Sequence, residues 1–187
     1  MSTDKVLVVK SVADKFAQAI HALLAQKNSE TYRLVGSGSN NRVSSLVKDA
    51  VEKGAHPLSN STDQANGDSV RTPITVLNGI TESMDIFSAE SFGPIAGIRV
   101  VSDESEAISI VNSLNYGLSS ALWTKDMHRA LEIASRLHVS ALHVNGSTIH
   151  DESTLPHGGT NLSGYGRFGA EWGIKEFLQT QTVILSP

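Results

Sequence analysis

KVLVVKSVADKFAQAIHALLAQ, residues 5–26, joins a short β-branched run to a longer run with helical periodicity. Four apolar, mostly β-branched residues, 6–9, stand between two lysines and are typical of a strand. Ser11 is followed three positions later by Asp14, a pattern typical of a helix N-cap, so the sequence predicts a helix that begins at about residue 12. A strand followed by a helix is the repeating unit of α/β proteins, and the rest of the chain can be compared with it.

The same alternation continues along the chain. Asn40 or Asn41 can cap a second helix, and Gly54 can end it. A polar, turn-forming segment at 59–69 predicts a surface loop. Further strands are predicted at 74–80, 96–101, 117–124, 140–145 and 180–186, and further helices at 103–114, 126–137 and 170–179. Strands that alternate with helices indicate an α/β fold with a mostly parallel open sheet covered by helices.

The composition limits the classes of partner. A chain of 187 residues with 40% hydrophobic residues can bury one substantial core, and its net charge of −4 includes no basic cluster. We therefore expect neither nucleic acid nor a membrane as a partner, and a soluble, cytoplasmic protein. The sequence contains no cysteine, which excludes a disulfide, a thiolate metal site and a thiol nucleophile within these residues.

A glycine-rich segment at 145–169 is longer than most connections between secondary-structure elements. It carries His150, Asp151, Glu152 and His157, and long loops of this kind often line functional sites. An equally good interpretation is a set of sharp turns with solvated charges. We predict no metal site here, because the four side chains share one loop and lack a recognised ligand spacing.

Several motifs together carry a resemblance to a known family. They are ESFGPI (90–95), NSLNYGLSSALWTKD (112–126), HVNGSTIHDE (143–152) and LPHGGTNLSGYGRFGAEWGIKEF (155–177). In order and spacing they resemble the C-terminal half of the aldehyde dehydrogenase superfamily, and most closely its benzaldehyde and salicylaldehyde dehydrogenase type. The resemblance implies the fold of the C-terminal domain over 1–169, followed at 170–187 by a helix and an oligomerisation strand.

The resemblance also implies roles for individual residues. Glu90 stands where the family binds the hydroxyls of the nicotinamide ribose, and Phe92 where it packs beside the nicotinamide. The family's nucleophilic cysteine and nucleotide-binding domain would precede residue 1, so we expect a truncated chain without a cofactor, in which Glu90 and Phe92 are vestigial. Alternatively, Phe92, Gly93 and Pro94 persist because this turn leads into a core strand.

Three functions remain open at this stage. The first is a cofactor-independent cyclase, isomerase or lyase that acts on an aromatic or hydrophobic carbonyl compound, which needs only a shaped cavity and acid–base groups. The second is a non-catalytic binding or regulatory subunit, and the third is an inactive relic or a piece that needs a complementing fragment. The candidate catalytic residues are Glu90, His150, Asp151, Glu152, His157 and Tyr165, with His143 a weaker candidate.

The expected partners are a small-molecule substrate and a second copy of the chain. In the family, the strand that corresponds to 180–186 adds to the sheet of a neighbouring subunit. The resemblance therefore implies a homodimer through the C-terminal strand, which would also cover an apolar face.

Overall fold

The computed structural model describes residues 3–27, 30–58 and 70–187. The predicted loop at 59–69 lies outside these residues. The chain forms two compact units, Met1–Ser109 and Ile110–Pro187. The sequence predicted a different division, with the domain fold over 1–169 and an oligomerisation segment at 170–187. That division stays a prediction.

The first unit contains most of the strands. They are β1 (Lys5–Val9), β2 (Thr31–Arg33), β3 (His56–Pro57), β4 (Arg71–Pro73), β5 (Thr75–Asn78) and β6 (Ile95–Val101). The helices up to residue 113 are α1 (Ala13–Gln26), α2 (Ser37–Glu52), α3 (Asp85–Ser88) and α4 (Glu104–Ser113).

One four-stranded sheet organises this unit, in the order β1-β6-β5-β3. The first three strands are parallel and β3 is an antiparallel edge strand. Leu77 on β5 and Ile98 on β6 are buried in its core, and Gly97 leaves room for Ile80, whose Cδ1 would lie 2.5 Å from a Cβ at that position. The predicted class, α/β with a mostly parallel sheet and flanking helices, is confirmed.

The starts of two helices differ from the sequence prediction. A 3-10 turn at Lys10–Val12 precedes α1, which begins at Ala13 without a side-chain cap, so the predicted cap at Ser11 is wrong. The prediction of a cap at Asn40 or Asn41 is also wrong, because α2 begins at Ser37. The helix continues three residues further back, since backbone donors of its first turn reach the carbonyl of Gly36. Gly54 follows its end with φ of +101°, as predicted.

The second unit is built on a smaller strand–helix–strand element. Its elements are β7 (Ser119–Leu122), α5 (Met127–Ala134), β8 (Ala141–Val144) and α6 (Ala170–Glu176). Strands β7 and β8 are parallel, and α5 connects them. Asp126 caps α5 by accepting a hydrogen bond from the backbone N–H of Arg129 at 2.9 Å. All four elements were predicted.

The C-terminal tail, residues 178–187, does not form the predicted strand in the single chain. A strand requires a neighbouring edge to satisfy its backbone groups, and none of the described strands pairs with this segment. Val183, Ile184 and Leu185 are 71%, 85% and 88% exposed. The tail therefore presents apolar side chains to solvent.

Candidate functional site

The Glu90 turn, residues 89–94, connects α3 to β6 and contains the ESFGP sequence. Two of its residues are explained by folding. A Cβ at Gly93 would lie 2.4 Å from Cγ2 of the buried Val43, so only glycine fits there without movement. The carbonyl of Pro94 accepts the backbone N–H of Thr75 at 2.9 Å and aligns β5 with β6.

Phe92 is not explained in the same way. Its φ is +49°, in the left-handed region that costs a non-glycine residue free energy, and its side chain is 73% exposed. The guanidinium of Arg42 lies 5.8 Å from the ring centroid. The strained backbone and the exposed ring are therefore not accounted for by packing in the core.

Glu90 is half-buried, and its carboxylate makes no hydrogen bond or ion pair within the described residues. Lys5 is the neighbouring cation: its ammonium donates to the carbonyl of Ala89 at 3.3 Å. Burial lowers the pKa of Lys5, and the nearby charges of Asp4 and Glu90 partly counteract that effect. The Glu90 carboxylate thus keeps its acceptor capacity for a ligand.

The second unit brings several of the other candidates together. Nε2 of His150 lies 3.1 Å from Oε1 of Glu152, and Nδ1 of His157 lies 3.6 Å from Oδ1 of Asp151. The ring of His143 stands edge-on to that of His150, with centroids 6.4 Å apart. The loop therefore carries two histidine–carboxylate pairs, which can exchange protons with a ligand.

The part of the loop that contains His157 is held by several hydrogen bonds. His157 and Phe168 exchange two backbone hydrogen bonds of 2.8 Å, and their rings are 5.0 Å apart. Further along, the Thr160 hydroxyl donates to the carbonyl of Gly117 at 2.9 Å, while the Gly117 N–H donates to the Ser163 hydroxyl at 3.0 Å. The glycine-rich segment is consequently tied to the residues before β7, and His157 is its most buried candidate, with 17% of its side chain exposed.

Tyr165 does not join this group. It is 100% exposed, and Glu90 and Phe92 belong to the first unit. Among residues 3–27, 30–58 and 70–187, no group of three or more histidines and carboxylates is placed to hold a metal ion. The same residues include no helix long and apolar enough to cross a membrane.

The sequence did not identify three charged residues that contact the Glu90 turn, namely Asp4, Lys5 and Arg42. Asp4 and Lys5 stand at the start of a predicted strand, where charges are usually solvated. Their partners are more than 80 positions away, so no local pattern could reveal the contacts.

Comparison with known proteins gives one consistent result. The profile of the aldehyde dehydrogenase family matches residues 1–183. Vanillin dehydrogenase of Pseudomonas fluorescens is 36% identical, with 99% of this chain and 39% of the relative covered. Salicylaldehyde dehydrogenase of Pseudomonas sp. (strain C18) is 33% identical, with 100% and 40% covered. The chain thus spans about two fifths of the length of these curated relatives.

Solved structures agree with the sequence relatives. The crystal structure of a salicylaldehyde dehydrogenase from Pseudomonas putida G7, complexed with salicylaldehyde, has a TM-score of 0.82 and 31% identity over 92% of this chain and 37% of that one. An NADP-dependent glyceraldehyde-3-phosphate dehydrogenase from Bacillus halodurans C-125, complexed with NADP, has a TM-score of 0.84 and 31% identity over 91% and 37%. With this agreement of fold, motifs and sequence, the chain belongs to the aldehyde dehydrogenase family.

Proposed function

We propose that these 187 residues supply the ribose-binding turn and the substrate loop of an aldehyde dehydrogenase that acts on aromatic aldehydes. The observation that carries the proposal is the Glu90 turn. Within the described residues its carboxylate makes no hydrogen bond and interacts only electrostatically with Lys5, and the neighbouring Phe92 ring is exposed on a strained backbone. Strain of this kind is usually maintained at functional sites. On this view Glu90 and Phe92 are working residues rather than vestiges.

The side chains of the turn fit a nicotinamide dinucleotide. A carboxylate can accept hydrogen bonds from both hydroxyls of a ribose, and the Glu90 carboxylate accepts no hydrogen bond from the described residues. The Phe92 ring offers an apolar surface to a flat heterocycle. When bound, the dinucleotide would supply the hydride acceptor. Glu90 and Phe92 would orient the ribose and the ring and exclude water from one side of it.

Aromatic aldehydes are the substrate class that we favour. The names of the two curated relatives specify vanillin and salicylaldehyde. His157, on a structured part of the loop and paired with Asp151, provides a polar contact beside the Phe168 ring. An aromatic face next to a hydrogen-bonding group suits a substituted benzaldehyde. The thiol that forms a covalent adduct would come from a different segment or chain, because these residues contain no cysteine.

A second candidate function is cofactor-independent acid–base catalysis on an aromatic or hydrophobic carbonyl compound, of the cyclase, isomerase or lyase type. The two histidine–carboxylate pairs, His150 with Glu152 and His157 with Asp151, favour it. The exposure of the first pair argues against it, since the side chains of His150 and Glu152 are 62% and 56% exposed, whereas that of His157 is 17% exposed. Acid–base groups gain most from a water-excluded pocket.

The tail supports one further proposal about assembly. Its apolar side chains are exposed in the single chain, and an unpaired segment of this kind can add to the sheet edge of a second copy. We therefore retain the homodimer through residues 180–186 as a proposal. A cytoplasmic location likewise stays a prediction.

Dinucleotide binding is the experiment that separates the two functions. NADH is titrated into the protein and followed by its fluorescence, for the wild type and for Glu90→Gln. The matched control is Glu52→Gln, which removes an exposed carboxylate from α2. We expect saturable binding that Glu90→Gln weakens about tenfold, by analogy with other charged hydrogen bonds, and Glu52→Gln leaves unchanged.

The alternative makes a different prediction in a parallel assay. Loss of an aromatic carbonyl compound is followed by absorbance without any dinucleotide, for the wild type, His157→Asn and the exposed control His128→Asn. Turnover that only His157→Asn abolishes, together with no NADH binding, would overturn the dehydrogenase proposal in favour of cofactor-independent catalysis.

A further inference from the structure

We propose that Asp4, Lys5 and Arg42 are positioning residues that hold the Glu90 turn in its ligand-binding conformation. The inference rests on the proposed function, because the three residues are inferred to position Glu90 for the proposed contact with the ribose. None of the three needs to touch the dinucleotide. They act on three consecutive residues of the turn, Ala89 to Ser91.

A backbone group of each of these three residues forms a hydrogen bond with one charged side chain from elsewhere in the chain. The Lys5 ammonium donates to the Ala89 carbonyl at 3.3 Å. The Arg42 guanidinium donates to the Glu90 carbonyl. Oδ2 of Asp4 accepts the N–H of Ser91 at 3.2 Å. Hydrogen bonds to charged groups are stronger than neutral ones, so a set of three charged partners on consecutive backbone groups specifies this conformation closely.

Asp4 has the strongest hold on the turn. Its second carboxylate oxygen accepts the Ser91 hydroxyl, so one carboxylate binds both polar hydrogens of a residue that is only 2% exposed. The carbonyl of Asp4 in turn accepts the N–H of Gly97 on β6 at 2.8 Å. The turn is therefore anchored to the same sheet that it leads into, through a residue next to β1.

Arg42 acts on both ligand-facing residues. It binds the carbonyl of Glu90, and its guanidinium lies 5.8 Å from the centroid of the Phe92 ring. A cation over an aromatic face is attracted to it. Arg42 thereby links the backbone of Glu90 to the side chain of Phe92, whose own backbone is in the left-handed region. Strained conformations persist only when the surroundings over-determine them.

Lys5 completes the set from within the structure. It is half-buried, and burial lowers its pKa while the charges of Asp4 and Glu90 work in the opposite direction. The Lys5 ammonium interacts electrostatically with the carboxylates of both Asp4 and Glu90, which reduces the repulsion between them. Its loss should move the Glu90 carboxylate as well as release the Ala89 carbonyl.

Two readouts on the intact chain test the inference. Hydrogen exchange of the amides of residues 89–93 reports the conformation of the turn, and the dissociation constant for NADH reports its function. We expect Asp4→Ala to speed exchange at Ser91 and to weaken NADH binding about tenfold, in the range for a lost hydrogen bond to a charged group. Asp4→Asn, which keeps one acceptor oxygen, should fall between it and the wild type.

Arg42→Gln is a second test of the inference. Arg42 is exposed and lies on α2, so its replacement removes the guanidinium contacts with the turn without disturbing the sheet. It should also weaken NADH binding, with faster exchange at residues 91 and 92. Asp14→Ala, an exposed carboxylate in the first turn of α1, is the matched control and should change neither readout.

The outcomes distinguish the two levels of the proposal. Unchanged NADH affinity in Asp4→Ala and Arg42→Gln, with weakened affinity in Glu90→Gln, would overturn the positioning role and leave the ribose contact intact. No effect of Glu90→Gln, or no NADH binding by the wild type, would overturn the ribose contact itself and the positioning role with it.

Discussion

Replacement of Phe92 by alanine or glycine measures the free-energy cost of the strained backbone at this position. At φ of +49°, a left-handed backbone costs an L-residue about 1–2 kcal/mol that glycine does not incur. Glycine also lowers the free energy of unfolding by about 0.4–1 kcal/mol, because it increases the conformational entropy of the unfolded chain. Because the Phe92 ring is 73% exposed, both Phe92→Ala and Phe92→Gly lose little burial. Both lose the contact with Arg42, which at an exposed site is worth about 0.5–1 kcal/mol.

The difference between the two variants is therefore the informative quantity. We expect Phe92→Gly to be more stable than Phe92→Ala by about 0.8 kcal/mol, the difference between the mid-points of these two ranges, which is the reverse of the usual order. Urea unfolding followed by circular dichroism measures it. The control is Phe177, 92% exposed with φ of −103°, where the alanine variant should be the more stable. An alanine variant as stable as the glycine variant at position 92 would refute a strained turn.

Three further predictions concern the scaffold and the assembly. Gly97→Ala places a Cβ 2.5 Å from Ile80 Cδ1 and should destabilise by about 1–3 kcal/mol in urea unfolding, with partial recovery in the double variant with Ile80→Val. Hydrogen bonds from the Ser102 N–H and hydroxyl lower the pKa of Glu106, so its stabilising contribution is complete above the usual value of 4.5 and is lost as pH falls through the folded-state pKa. Glu106→Gln should reduce the loss of unfolding free energy as the pH falls, measured by urea unfolding at several pH values. An unchanged pH dependence would contradict this role of Glu106. Ile184→Lys should convert a dimer to a monomer in light scattering, whereas a wild-type monomer would contradict the proposed tail exchange.

Periodic segments were the predictable part of the fold. The β7-α5-β8 element follows from alternating apolar patterns of sufficient length, and the structure forms it with Asp126 as a cap. Strands β2 and β4 have three residues each and pair with one another, so no period could show them. The tail was predicted as a strand because its residues favour one, but a strand forms only against an edge.

Of the candidate site, the sequence identified side chains but not their supports. The ESFGPI and HDE motifs pointed to Glu90, Phe92 and the residues 150–152. The contact of Asp4 with Ser91 joins positions 87 residues apart, and the strain at Phe92 is a property of its backbone alone. Neither is encoded in a local pattern. Both decide whether the motif can still bind a ligand.

Reconstitution tests the proposed function most directly. This chain is mixed with the part of Pseudomonas fluorescens vanillin dehydrogenase that lies outside the matched region, and NADH formation from vanillin and NAD is followed by absorbance. The proposal predicts NADH formation only when both parts are present, and its loss with Glu90→Gln. Consumption of vanillin by this chain alone without a dinucleotide, or NADH formation that Glu90→Gln leaves unchanged, would contradict it.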